Sequence, residues 1–218
     1  MALALRAAYH GYPTNAQTGV VVVAGDLIIV GYSYNEITRT STCTDNATGG
    51  SNTYNRIAGT EFTGASTAFA EAFYAIAKAS ETLTITCTAR VDNGISVHVV
   101  SGNNQTLASV LDVSNTSSDA AGTAHTSASV VTTNADDYLF VLWYQEDTAS
   151  SHTENGTSFV IRTEEQGHAH ATFDRIVSST GTYQDTITTS ANVKYGNIIA
   201  AFKAAAGAAT TLMSQICL

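Results

Sequence analysis

Short runs of about five to seven residues, apolar or strictly alternating, recur along the whole chain between turn-forming residues. No other feature restricts the fold as much. Alternation of period two puts successive side chains on opposite faces, and segments this short make strands rather than helices. Leu83-Thr84-Ile85-Thr86-Cys87 alternates strictly, and Asp92-Asn93-Gly94 is a strong turn signal before Ile95-Ser96-Val97-His98-Val99. Tyr138 to Tyr144, Ser158 to Arg162 and Ile198 to Phe202 add further runs. The only proline is Pro13, near the start, so the remaining strands are free to form uninterrupted hydrogen-bond ladders. The fold class expected is all-β, a two-sheet jelly-roll-like sandwich.

One segment resists. Ala68-Phe69-Ala70-Glu71-Ala72-Phe73-Tyr74-Ala75-Ile76-Ala77-Lys78-Ala79 favours helix by propensity, and its apolar residues lie all round. An internal two-fold repeat arbitrates. Asp26-Leu27-Ile28-Ile29-Val30 is similar to Asp137-Tyr138-Leu139-Phe140-Val141. Phe73-x-x-Ile76 then aligns with Phe173-x-x-Ile176, Thr84-Ile85-Thr86 with Thr186-Ile187-Thr188, and Gly94 with Gly196, in the same order. The later copy of the Ala-rich segment is β-branched and polar, so the Ala-rich segment is expected to be a strand.

A chain of 218 residues with 44% hydrophobic content suits one sandwich with a sizeable core. The expected organisation is an N-terminal arm (1–18), a sandwich (19–203) and a C-terminal arm (204–218). The second arm ends apolar, with Leu212, Met213, Ile216 and Leu218. An apolar end must be covered, either by its own domain or by a neighbouring subunit, and in the second case these four residues are the expected interface.

Charge excludes one class of partner. Nine basic residues stand against eighteen acidic ones, for a net charge of −9, and this repels a phosphate backbone. Val20 to Val23 and Leu27 to Val30 are too short to cross a bilayer, so neither nucleic acid nor membrane is an expected partner. Arg6 interrupts the first apolar stretch and no long h-region follows, so synthesis in a cytoplasm without ordinary export is expected.

Few residues suggest chemistry. His168 and His170 would share a strand face and could hold a metal with a third ligand such as Asp174 or Glu165; the simpler reading is a solvated polar face. Asp45-Asn46, Asp92-Asn93, Asp136-Asp137 and Glu164-Glu165 could hold calcium, but they also suit turns. Tyr32, Tyr34 and Trp143 could form a glycan platform, or they could be core. Cys43, Cys87 and Cys217 read as buried thiols, with a Cys43–Cys87 pair as the alternative. No G-x-S-x-G elbow, phosphate loop or dinucleotide fingerprint occurs, so no enzyme and no cofactor are expected.

The stretch Ala24-Gly25-Asp26-Leu27-Ile28-Ile29-Val30, then Thr44-Asp45-Asn46 with Asn52-Thr53-Tyr54, resembles a widespread bacterial and phage β-sandwich module. Ser178-Ser179-Thr180-Gly181-Thr182-Tyr183 and Ala201-Phe202-Lys203 resemble its later signature, and the similarity covers roughly residues 18 to 203. These motifs are turns and core strands, so no catalytic residue carries over. Such modules occur in phage virion proteins and in large bacterial surface proteins. The resemblance implies a structural role, most concretely a capsid decoration (cement) protein. It would sit on the capsid surface after assembly in the host cytoplasm, as a homotrimer bound to the major capsid protein. A carbohydrate-binding or adhesive module is the alternative.

Overall fold

The computed structural model describes residues 2–35, 41–57, 68–90, 93–145, 151–165 and 170–206. They hold strands and turns but no helix. The earlier strands are β1 (Ala4–Gly11), β2 (Ala16–Val22), β3 (Leu27–Asn35), β4 (Cys43–Asp45), β5 (Asn55–Arg56), β6 (Ala68–Ile76), β7 (Glu81–Cys87) and β8 (Gly94–Ser101). The later ones are β9 (Leu111–Ser118), β10 (Gly122–Thr126), β11 (Val130–Val131), β12 (Asp137–Gln145), β13 (His152–Glu154), β14 (Val160–Glu165), β15 (His170–Val177), β16 (Thr182–Tyr183), β17 (Thr186–Val193) and β18 (Tyr195–Lys203).

The Ala-rich segment is a strand over Ala68–Ile76, β6, as expected. Ladder pairing with β3 overrides its helical propensity, because small side chains let a second sheet approach closely.

Strand order runs β1-β8-β3-β6-β5 in one five-stranded sheet and β9-β18-β12-β15-β14 in the other. Three-stranded sheets β2-β7-β4 and β10-β17-β13 cover their outer faces, and β11 pairs with β16. The expectation of two sheets therefore falls short: four layers are stacked. Three apolar clusters fill the three spaces between them. Ile28, Val30, Tyr32 and Tyr34 of β3 face the outer sheet, while Leu27 and Ile29 face the middle space. On β12, Leu139, Val141 and Trp143 point outward, and Tyr138, Phe140, Leu142 and Tyr144 point to the middle. A central strand buried on both faces reads as an unbroken apolar run, as these two do. The large sheets approach closely at Gly31, where a Cβ would lie 3.2 Å from the Phe140 ring.

Two expectations for the ends of strands change. Residues 4–11, assigned to an arm, form β1 and pair along β8, and residues 16–22 pair with β7. The N-terminal segment is thus part of two sheets. Cys43 and Cys87 are not free thiols. They are direct partners across β4 and β7, and their side chains, on one face, form a disulfide. Cys217 lies outside the described residues.

Candidate functional site

The middle space is not wholly apolar. One side of it carries a hydrogen-bonded strip that joins the two large sheets. From the first sheet come His10 (β1), Ser33 (β3), Ser96 and His98 (β8); from the second come Tyr138 (β12), Arg162 and Thr163 (β14), and His170, Thr172 and Asp174 (β15). The Ser33 hydroxyl lies 2.6 Å from His170 Nδ1, and Ser96 Oγ lies 2.7 Å from His170 Nε2. Ser96 Oγ also meets Thr163 at 2.9 Å and His10 Nδ1 at 3.2 Å. Thr163 meets Thr172 at 2.6 Å. His98 bridges Thr172 at 2.8 Å and Tyr138 at 2.7 Å.

The strip ends on a carboxylate, and this fixes its direction. Arg162 Nε and the Tyr138 hydroxyl donate to the two oxygens of Asp174, each at 2.7 Å. Tyr138 has then used its only proton, so His98 must donate to it from Nδ1. His98 Nε2 accepts from Thr172, Thr172 accepts from Thr163, and Thr163 accepts from Ser96. Ser96 in turn accepts from His170 Nε2 and from His10 Nδ1. His170 Nδ1 finally accepts from Ser33. Each hydroxyl donates once, and the two fully buried imidazoles, His98 and His170, are neutral with defined tautomers.

Electrostatics agree with neutral rings. Burial pushes His98 down to about 3, helped by the Arg162 charge. Burial also holds His170 well below the ordinary histidine range, with His10, His152 and His98 adding repulsion. His10 is lowered by burial as well, against an opposing pull from Glu165, whose carboxylate is 3.5 Å from Nε2. Burial raises the Asp174 carboxyl, and the Tyr138 and Arg162 contacts oppose it. The sign for the histidines follows directly. Their folded values lie below the unfolded value, so their contribution is intact above about pH 6.5 and is lost as pH falls.

Substituting Asp174→Asn should reverse the strip. Asparagine turns its oxygen to Arg162 and its amide to Tyr138, so Tyr138 must donate to His98. We expect His98 to switch from the Nδ1–H to the Nε2–H tautomer, read from its ring 15N shifts. An unchanged tautomer would refute the assigned direction.

A second polar group lies inside the later half. His125 Nδ1 is 2.8 Å from Asp119, and its ring packs 4.4 Å from the Tyr195 ring. The Tyr195 hydroxyl is 2.8 Å from His152 Nε2, and His152 Nδ1 is 2.8 Å from Glu164. Asp112, Asp137 and Lys203 form a third group, with Lys203 Nζ 3.2 Å from Asp112. Burial pushes the Asp137 carboxyl up to about 7; the nearby Asp112 carboxylate adds to this, while Asn134 and Lys203 oppose it. A raised carboxyl favours the fold below the unfolded value and loses that contribution as pH rises towards 7. Asp137→Asn should therefore flatten the stability profile between about pH 4 and 7 in urea titrations. A profile of unchanged slope would contradict this.

Most sequence candidates sit elsewhere than expected. His170 is neither solvated nor open to a metal, because Ser33 and Ser96 occupy both ring nitrogens. His168 lies outside the described residues. No group of three His, Cys, Asp or Glu suited to a metal occurs among the described residues. Tyr32, Tyr34 and Trp143 are fully buried, so as placed they offer no ring face to a sugar. Trp143 Nε1 instead donates to Asp185 at 2.7 Å. Asp45 staples its turn by accepting from Asn52, Ala47 and Tyr54. Burial pushes its carboxyl up, but these bonds outweigh that and hold it below the usual range. The Asp45, Asn52 and Tyr54 pattern is thus a turn clasp. Leu212, Met213, Ile216 and Leu218 lie outside the described residues.

Sequence reasoning missed Ser96 and His98, the polar residues that alternate with Ile95, Val97 and Val99. The available signal was position: a strand paired on both sides is central, and its polar face needs a cover.

At one end of the middle space, Ala2, Leu3, Asp136, Ile176, Val177, Ser178, Ala204 and Ala205 line a pocket of about 310 Å³. Ala205 N donates to Gly102 O. Gly102 has a φ of +78°, and a Cβ there would strike the Ala2 carbonyl. Residues 2 and 205 therefore converge on one glycine. The chain matches no known protein family, no curated protein and no solved structure.

Proposed function

We propose that the chain is a non-enzymatic structural protein of a virion, a capsid decoration protein built from two copies of an eight-stranded jelly roll. The convergence of residues 2 and 205 beside the terminal pocket carries this reading. Ala205, two residues before the segment 207–218 with Leu212, Met213, Ile216 and Leu218, lies at one end of the four-layer body. That placement suits a segment that reaches a neighbouring subunit or the major capsid protein. Ile176, about half exposed at the pocket, offers adjoining apolar surface.

The strand orders support the two-copy part. Order β1-β8-β3-β6 over β2-β7-β4 accords with seven strands of a jelly roll, and β9-β18-β12-β15 over β10-β17-β13 parallels it; β5 and β14, the eighth strands, add to the large sheets instead. Leu27 pairs with Ile76 and Val100, as Tyr138 pairs with Ile176 and Phe202. Even the bulge recurs, skipping Arg6 opposite β8 and Asp112 opposite β18.

Deleting residues 207–218 tests the assembly role. A cut after Ala206 keeps the hydrogen bonds of Ala204 and Ala205. We expect unchanged thermal stability but a shift from trimer to monomer in native mass measurements, with association weakened at least about tenfold. An unaltered oligomer would remove the segment from the interface.

A further inference from the structure

We propose that the facing surfaces of the two large sheets are a heterotypic docking surface: the β8 face of the earlier half accepts the β15 face of the later half and rejects a second copy of its own half. The proposal rests on the two-copy reading, and the observation behind it is an asymmetry.

The contact is arranged as a two-fold pair. The β8 side chains Ser96 and His98 meet β15 at His170 and Thr172. On the other side, β18 contacts β6, and Tyr74 packs on Phe202 with ring centres 5.6 Å apart. Ladder register makes the positions equivalent: Ser96 matches Ile198, His98 matches Ala200, His170 matches Ala70 and Thr172 matches Ala72. One side of the contact is thus polar on polar, and its counterpart is apolar on apolar. Each half carries one polar strip and one apolar strip, but on opposite strands.

Only one pairing satisfies this pattern. Two copies of the earlier half would set Ser96 and His98 against Ala70 and Ala72, leaving buried hydroxyl and imidazole groups without partners. Two copies of the later half would bury His170, Thr172 and Asp174 against Ile198 and Ala200. Buried polar groups left unpaired penalise the wrong complex more than paired ones stabilise the right one, and this is how specificity is encoded. The docking partner is therefore the later half of the same chain.

A cleavable site placed between the exposed Ala108 and Ser109 in the full protein tests this. Folded protein is cut, light and heavy isotope forms are mixed, unfolded and refolded, and native mass spectrometry counts the pairs. We expect earlier-with-later pairs at least a hundredfold in excess of either like pair. Like pairs in comparable amounts overturn the proposal, and so does recovery of the halves without pairing. A second protein carrying Ser96→Ile and His98→Ala gives β8 the residues of β18. Pairs of two earlier halves should now appear, and their absence overturns the proposal. In the uncut chain, His98→Ala and Thr172→Ala should be coupled at least fivefold in the folding constant, whereas additive effects would count against it. None of these outcomes depends on residues 207–218, so they are separate from the test of the virion role.

Discussion

Replacing Asp174 with alanine should lower stability by about 3–5 kcal/mol, the usual result of removing one member of a buried ion pair. The carboxylate is almost fully buried and takes bonds from both Arg162 and Tyr138. Its loss removes the acceptor of the Tyr138 hydroxyl, leaves His98 as that hydroxyl's remaining partner, and releases the constraint that orients His98. Arg162 is about one-third exposed and can turn to water once Asp174 is gone, whereas Arg162→Ala leaves a buried carboxylate without its cation, so Arg162→Ala should cost at least as much as Asp174→Ala. Urea denaturation at pH 7 measures both. A loss below about 1 kcal/mol for Asp174→Ala would mean that the carboxylate does not anchor the strip.

Removing the disulfide with Cys43→Ala and Cys87→Ala should cost about 4 kcal/mol. The bond joins residues 44 apart, and a loop of that length restricts the unfolded chain by this amount in the chain-entropy account. The effect should be local as well as large. Across the second three-stranded sheet, the equivalent partners in register are His152 and Thr189, which belong to a hydrogen-bonded group instead. Hydrogen exchange should therefore quicken in β2, β4 and β7 and stay unchanged in β10, β13 and β17. Equal acceleration in both sheets would indicate that the two halves unfold as one unit.

How far the sequence revealed this depended on which interactions are local. Turn chemistry and alternation are local, and they located several of the longer strands, among them β7, β8, β12 and β18. The Ala-rich β6 was legible only through its match to Phe173 and Ile176, because helix propensity pointed the other way. Alternation also said that Ser96 and His98 share a face; it could not say that a second sheet covers that face. The same limit governed Tyr32, Tyr34 and Trp143, whose buried position follows from layers stacked by distant segments. His170 was singled out for its neighbour at 168, yet its partners are Ser33 and Ser96, more than 70 residues away. Pairing of Cys43 with Cys87 was one alternative among several until the β4–β7 register placed them opposite each other.

The meeting of residues 2 and 205 at Gly102 also bears on how the molecule can be engineered. A short peptide could join residue 2 to residue 205 without crossing the body, and the break could be moved to an exposed turn such as Ala108–Ser109. Loop closure of so short a span costs little entropy. Anything attached at residue 2 or directly after residue 205 would leave from the same pole, which gives every molecule held by its opposite pole a single outward direction for display.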